Sequence, residues 1–281
     1  MQLRSLKRRK LIDNTIKSIS ALSGLIGLAA LVWILWTVID RGFGALNLDF
    51  FTQVPAPPGM TGGGLANAIV GTLVITVIAS IIAIPIGVLG GIFLAEFGKD
   101  SRFADYVRFF ANVMIGVPSI IIGVFVYGLM VIPMKGFSGW AGAVSLAVIM
   151  LPIVIRTTED MLNMVPDSMR ESALALGASR RQVTFDIVFR AAKNGLITGI
   201  LLSVARVSGE TAPLLFTALN SPYWFNSLNE PVANLTVTIF NYAMSPYADW
   251  QQLAWGASLL ITVAILSLNI VTRLVFRSGA K

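Results

Sequence analysis

Cysteine and histidine are both missing from the 281 residues. Their absence excludes disulfides, thiol catalysis and the usual soft-metal ligands. Charge is scarce as well. Only 12% of residues are Asp, Glu, Lys or Arg, against roughly 25% in soluble domains. The chain also lacks a GxxxxGK[ST] loop to cradle nucleotide phosphates, so any ATP-driven work falls to a partner. No catalytic constellation is visible, which argues against an enzyme embedded in a membrane, and nothing calls for a cofactor or metal.

What the chain has in quantity is apolar sequence, 56% of its residues, in blocks rather than stripes. Uncharged runs cover Ser18–Ile39, Leu65–Ala95, Phe109–Met134, Gly136–Ile155 and Leu253–Thr272, and Asn194–Leu219 is broken only by Arg206 and Glu210. Each reaches the ~20 residues that cross a bilayer as a helix, and a backbone in hydrocarbon must be helical or a closed barrel. The expectation is an all-α, polytopic membrane protein with six transmembrane helices. The first run follows Lys7, Arg8, Arg9 and Lys10. It is too long for a signal-peptide core and lacks a small-residue cleavage site, so it reads as a retained helix.

Every basic residue except Arg41, Lys135 and Arg206 falls in segments that lie on one side if the N-terminus is inside. That is the positive-inside pattern, with both termini cytoplasmic. It explains the +7 net charge without nucleic acid, because the basic residues are spread over loops. The expected organisation is a basic N-terminal segment, 1–17, a first helix, 18–39, an external loop, 40–64, and a five-helix core, 65–276. Within the core, 156–193 is internal and 220–252 is external. The first external loop is rich in proline and glycine ("PAPPGMTGGG"). The second is rich in aromatics, with "NLTVTIFNYAM" reading as a short interfacial helix and Trp250 and Trp255 at headgroup level.

The internal segment 156–193 is polar. Pro166 with Asp167 and Ser168 marks a helix start, "SMRESALAL" continues it, Gly177 turns the chain, and "SRRQVTFDIVFRAA" begins a second helix. Such a helix–glycine–helix hairpin suits docking into the groove of another protein.

Two residues contradict their surroundings. Arg206 and Glu210 lie in the sixth apolar run, with Pro213 three positions further on. Counting from Asn194 at 1.5 Å per residue, Arg206 falls ~18 Å along the helix, where an unpaired cation costs at least ~2.5 kcal/mol. Gly195, Gly199, Ser203, Arg206, Glu210 and Pro213 share one face of a continuous helix, and the two glycines allow another helix close. Pro213 is expected to kink that helix. Two functions remain open for the charges. They brace the helix as an i,i+4 pair, or Arg206 serves as an anion site, because guanidinium grips oxyanions bidentately. Glu210 then tempers the cation or accepts a hydrogen bond from a protonated oxyanion. Arg156, at the inner end of the fourth span, is either a further point on the path or a positive-inside anchor. Pro85, Pro118 and Pro152 read as kinks, with Gly87, Gly90 and Gly91 permitting close packing.

The segment "ESALALGASRRQVTFDI" resembles the EAA loop of ABC importer permeases, with Glu171, Ala173, Gly177 and Ile187 in the motif's places. Ser172 stands where the motif usually has Ala, and Phe189–Arg190 where it has Leu–Pro. Together with "GVPSIIIGVF", "ARVSGETAPLLFTAL" and "NLTVTIFNYAMSPYADWQQLAW" it resembles the PstA-type phosphate permeases, over roughly Leu65 to Phe276. The resemblance implies the type I ABC importer permease fold in a bacterial inner membrane. It also implies pairing with a related PstC-type permease, two copies of a cytoplasmic ATPase that docks on the EAA-like residues, and a periplasmic phosphate-binding protein. The alternatives are a permease for another oxyanion such as sulfate or molybdate, an ATPase-independent secondary transporter or channel, and a membrane scaffold.

Overall fold

The computed structural model describes residues 2–99 and 101–276. Helix α1 (Gln2–Gly42) is followed by a 3-10 turn at Phe43–Ala45 and the short α2 (Leu48–Thr52), capped by the Asn47 side chain. α3 (Ala66–Ile92) ends in a π-helical turn at Phe93–Phe97. Then come α4 (Arg102–Gly116), α5 (Ser119–Val126), a second π-helical turn at Tyr127–Val131 and the single turn α6 (Ile132–Met134). α7 (Gly139–Asn163) leads through α8 (Asp167–Ala175) and α9 (Arg180–Gln182) to a third π-helical turn at Val183–Val188 and α10 (Phe189–Ser208). α11 (Ala212–Leu215), α12 (Leu235–Ala243) and α13 (Ala248–Phe276) complete the chain. Among the described residues the only extended pairing is one isolated bridge between Pro55 and Gly63.

Five helices are long and apolar enough to span a bilayer, Arg8–Ala45, Ala66–Phe97, Gly139–Asn163, Arg180–Ser208 and Ala248–Val275. The remaining expected span, Phe109–Met134, is not one rod. Arg102–Gly116 and Ser119–Met134 meet at an angle of 104°. Val117 is extended (φ −71°, ψ 129°) because the ring of Pro118 disfavours helical geometry in the residue before it. Pro118 therefore breaks the span rather than bending it. Pro85 and Pro152, by contrast, lie inside continuous helices.

The run Asn194–Leu219 also departs from a single helix. α10 stops at Ser208, and Gly209 follows as its cap, its N–H bonded to the Arg206 carbonyl. Pro213 lies in the first turn of α11, where its missing N–H costs nothing. It opens a new helix instead of kinking an old one. At its other end α10 is longer than expected. The second arm of the hairpin runs on into it, so Arg180–Ser208 is one helical segment.

α3 and α7 form the central pair. A Cβ on Gly87 would lie 2.7 Å from Val154, and one on Gly91 would collide with Thr158, so these glycines set the distance between the helices. Around them lies the main core, from Ile75 through Val126, Met150 and Val207 to Leu214 and Val237. A second cluster gathers Phe50, Leu65, Tyr242 and Leu253. Here Trp250 stacks on Tyr242 at 4.4 Å and its Nε1 donates to the Ala56 carbonyl, which ties the 40–64 loop to the 220–252 segment. A third cluster joins the base of the hairpin to α3 and α7 through Ile92, Leu162, Val183 and Leu196. α1 lies against α13, with Arg41 over the Trp255 ring at 5.2 Å and Gly42 against Leu259. Leu25, Leu28, Val32, Trp33 and Trp36 of α1 remain exposed, an apolar surface that suits lipid.

Candidate functional site

The two helix breaks meet. Met114, Pro118 and Ser119 at the α4–α5 break, Ile149 and Ile153 of α7, and Arg206 and Glu210 around the end of α10 line one cavity of about 220 Å³. Arg206 occupies the last turn of α10, where the negative end of the helix dipole favours a cation. Glu210 lies past the helix end, its N–H bonded to the Val207 carbonyl and its own carbonyl accepting from the Thr236 hydroxyl at 2.9 Å. The backbone on both sides of the break is thus held.

Arg206 and Glu210 share this cavity without joining. Among the described residues neither side chain makes an ion pair within 4.0 Å. The i,i+4 brace needs a continuous helix, and Gly209 ends it. A second groove, lined by Thr157, Met161, Gly195, Thr198, Gly199, Ser203 and Arg206, runs between α7 and α10. The first four residues of the expected face therefore do align. Glu210 and Pro213 lie beyond the helix and reach the cavity by the turn instead. Arg206 is exposed on the surface of the single chain and Glu210 is half-buried.

Arg156 is placed differently. It bonds Glu159 at 3.1 Å and reaches Asp160 at 3.4 Å, both on its own helix, and it lines neither the cavity nor the groove. Its charge is already engaged.

The hairpin has the expected form with other details. Pro166 stands at the N-cap of α8 and makes no side-chain cap bond. The Asp167 carboxylate instead meets Lys99 and Arg170. At the far end the N–H of Ala178 bonds the Ala173 carbonyl and that of Gly177 the Leu174 carbonyl. This is a Schellman closure, with Gly177 at φ +85°. Ser179 and Gln182 then form a capping box. Glu171 and Gly177 are exposed, and Leu176 beside them is 89% exposed. Ala173 is buried, and Ile187 packs on the same cluster. The EAA-like positions thus divide into an outward pair and an inward pair.

Four charged residues that hold this region escaped the sequence reading. Arg170 is buried and donates to both oxygens of Glu96 and to the Leu162 and Val165 carbonyls. Arg108 donates to Glu159 at 2.6 Å and to the Leu94 carbonyl. The signal available was that Glu96 and Arg108 directly border uncharged runs. Which one meets which is set by tertiary packing.

The chain matches the family model described as "Binding-protein-dependent transport system inner membrane component" over residues 87–278. A phosphate transport system permease protein PstA of Haemophilus influenzae is 53% identical over 242 residues, 86% of this chain and 85% of that one. The PstA protein of Yersinia pestis is 48% identical over 240 residues, 85% and 81% of the two chains. That of Xylella fastidiosa strain 9a5c is 45% identical over 268 residues, 95% and 93%. Among solved structures, an inward-facing conformation of the MetNI methionine ABC transporter superposes with a TM-score of 0.65 at 16% identity, covering 77% of this chain and 96% of that one.

Proposed function

Since this chain belongs to the PstA family of inner-membrane components of binding-protein-dependent transport systems, we propose that it carries inorganic phosphate through the membrane for an ATP-driven importer. The observation that carries the reading is a guanidinium that makes no ion pair among the described residues and lines one small cavity together with a carboxylate, where breaks in two membrane segments meet. An oxyanion needs a cation to cross hydrocarbon, and guanidinium offers a planar two-point grip. A cation already neutralised by a carboxylate has less to offer, and here it is not neutralised.

Energy comes from outside the chain. With no nucleotide-binding loop in the sequence, hydrolysis belongs to a separate cytoplasmic ATPase, two copies per complex. The hairpin tip offers the docking surface. Leu176 and Glu171 project from it, and the Schellman closure and the Arg170–Glu96 pair fix its shape. The basic segments of the chain, the hairpin and both termini lie in the cytoplasm, and 40–64 and 220–252 face the periplasm, where a phosphate-binding protein delivers its load.

A second permease of the PstC type completes the path. Arg206 is exposed on the isolated chain, and leaving it against lipid costs at least ~2.5 kcal/mol. A neighbouring protein surface must cover it. The groove beside it, between α7 and α10, is part of the surface to be covered; Gly195 and Gly199 are already packed against Met161 and Thr157 of α7.

The test is uptake of radiolabelled phosphate into proteoliposomes holding the whole complex. Uptake should need ATP and the loaded binding protein, and excess sulfate or molybdate should not compete. Uptake without the ATPase, or equal competition by sulfate, contradicts the reading.

A further inference from the structure

We propose that Ser119 is a third substrate contact in the Arg206 cavity, its hydroxyl donating to the oxyanion that Arg206 holds. The inference rests on the reading of Arg206 as the anion's cation and adds a residue to it. Ser119 lines the cavity with Arg206 and Glu210 and is half-buried. Ser18, Ser20, Ser23 and Ser267 lie exposed in the spans and make no bond among the described residues, but the partly or fully buried serine hydroxyls of the spans are occupied. Those of Ser80, Ser203, Ser208 and Ser258 each bond a carbonyl of their own helix. The hydroxyl of Ser119 has no such bond among the described residues.

Its place is fixed by backbone, not by a mobile loop. Val117 and Pro118 end α4 and turn the chain, so that Ser119 opens α5 at the cavity wall. One turn later Gly123 meets Pro213, where a Cβ would lie 2.6 Å from the proline Cα and 3.1 Å from its carbonyl oxygen. Pro213 stands three residues after Glu210. Two backbones in contact thus set the spacing between Ser119 and Glu210, and any side chain at 123 would change it.

The charges explain why a third contact is needed. Arg206 and Glu210 together bring no net charge to the cavity. An anion beside the guanidinium meets a carboxylate in the same small volume. A neutral donor adds attraction without the tight grip of a second cation, so the anion is held and still released. Hydrogen bonds to charged groups are among the stronger ones, and a hydroxyl donates one while a carboxylate only accepts. Hydrogen phosphate satisfies all three groups. It accepts from Arg206 and Ser119 and presents its own O–H to Glu210.

The experiment compares Ser119→Ala, Ser119→Thr and Arg206→Gln in the reconstituted complex, with inorganic phosphate as the probe. Phosphate turnover and ATP hydrolysis stimulated by the binding protein are measured together. Ser119→Ala is expected to lower turnover about tenfold or more. Its hydrolysis and its half-saturating concentration, set by the binding protein, are expected to stay near the parent values. Ser119→Thr keeps the hydroxyl and should transport close to the parent rate. A purely structural serine gives the opposite order, because the added methyl disturbs packing more than the lost oxygen. Parent turnover in Ser119→Ala while Arg206→Gln is inactive overturns this inference alone. Parent turnover in Arg206→Gln overturns the reading beneath it. If Ser119→Ala fails to assemble, Ser119→Thr decides, and its failure also overturns the inference.

Discussion

Arg170 donates from Nη2 to Oε1 of Glu96 at 2.7 Å, joining residues 74 positions apart in the chain. The two side chains are 11% and 8% exposed. The same guanidinium bonds the Leu162 and Val165 carbonyls at the end of α7. One residue thus holds the hairpin to both members of the central helix pair, beside the apolar cluster at its base.

Removing that guanidinium strands a buried carboxylate and two carbonyls. Arg170→Ala should destabilise the permease by about 3–5 kcal/mol, seen as a lower thermal midpoint of the purified complex. Arg170→Met combined with Glu96→Leu should recover most of the loss, because an apolar pair leaves no stranded charge. A single variant as stable as the parent would show that the pair holds nothing.

The hairpin tip calls for a different outcome. Gly177 at φ +85° is barred to proline, whose ring fixes φ near −65°. Glu171 is exposed and makes no ion pair among the described residues. Gly177→Pro and Glu171→Lys should therefore leave the permease in the membrane, with phosphate uptake lost and hydrolysis detached from the loaded binding protein. Normal stimulated hydrolysis and uptake in both variants contradict the docking role.

The absence of cysteine gives a clean test of orientation. Ser227 and Ser179 are both exposed, one in the aromatic loop and one in the hairpin. A cysteine at Ser227 should react with an impermeant maleimide added to intact cells, and one at Ser179 should react only after the membrane is opened. The reverse pattern inverts the topology.

Much of this architecture is legible in the sequence because lipid imposes long uncharged runs. The short α12, the helix–glycine–helix hairpin and the close approaches at Gly87 and Gly91 follow from caps, turns and small residues. What misleads is continuity. Val117–Pro118 lies inside an uncharged run and Gly209 inside a run broken only by Arg206 and Glu210, and hydropathy does not distinguish a span from two segments meeting at 104°. The site inherits that error. Arg206 and Glu210 belong together, but through a turn and a cavity instead of one helical face. Position alone leaves Arg156 open between a point on the path and a positive-inside anchor. Its engagement by Glu159 and Asp160 depends on rotamers that spacing alone does not reveal. Spacing does not single out Glu96, Arg108, Glu159 and Arg170, because the Arg108–Glu159 and Arg170–Glu96 pairs join distant segments.

The central claim is that Arg206 serves the anion and does not brace the fold. The most direct measurement is phosphate uptake by the complex carrying Arg206→Gln together with Glu210→Gln, which removes both charges and strands neither. The site account predicts a complex that assembles and hydrolyses ATP but imports no phosphate. Arg206→Lys should restore little, since a point-charge ammonium lacks the planar grip. Uptake at the parent rate in the double variant would show that the pair was structural and would contradict the account.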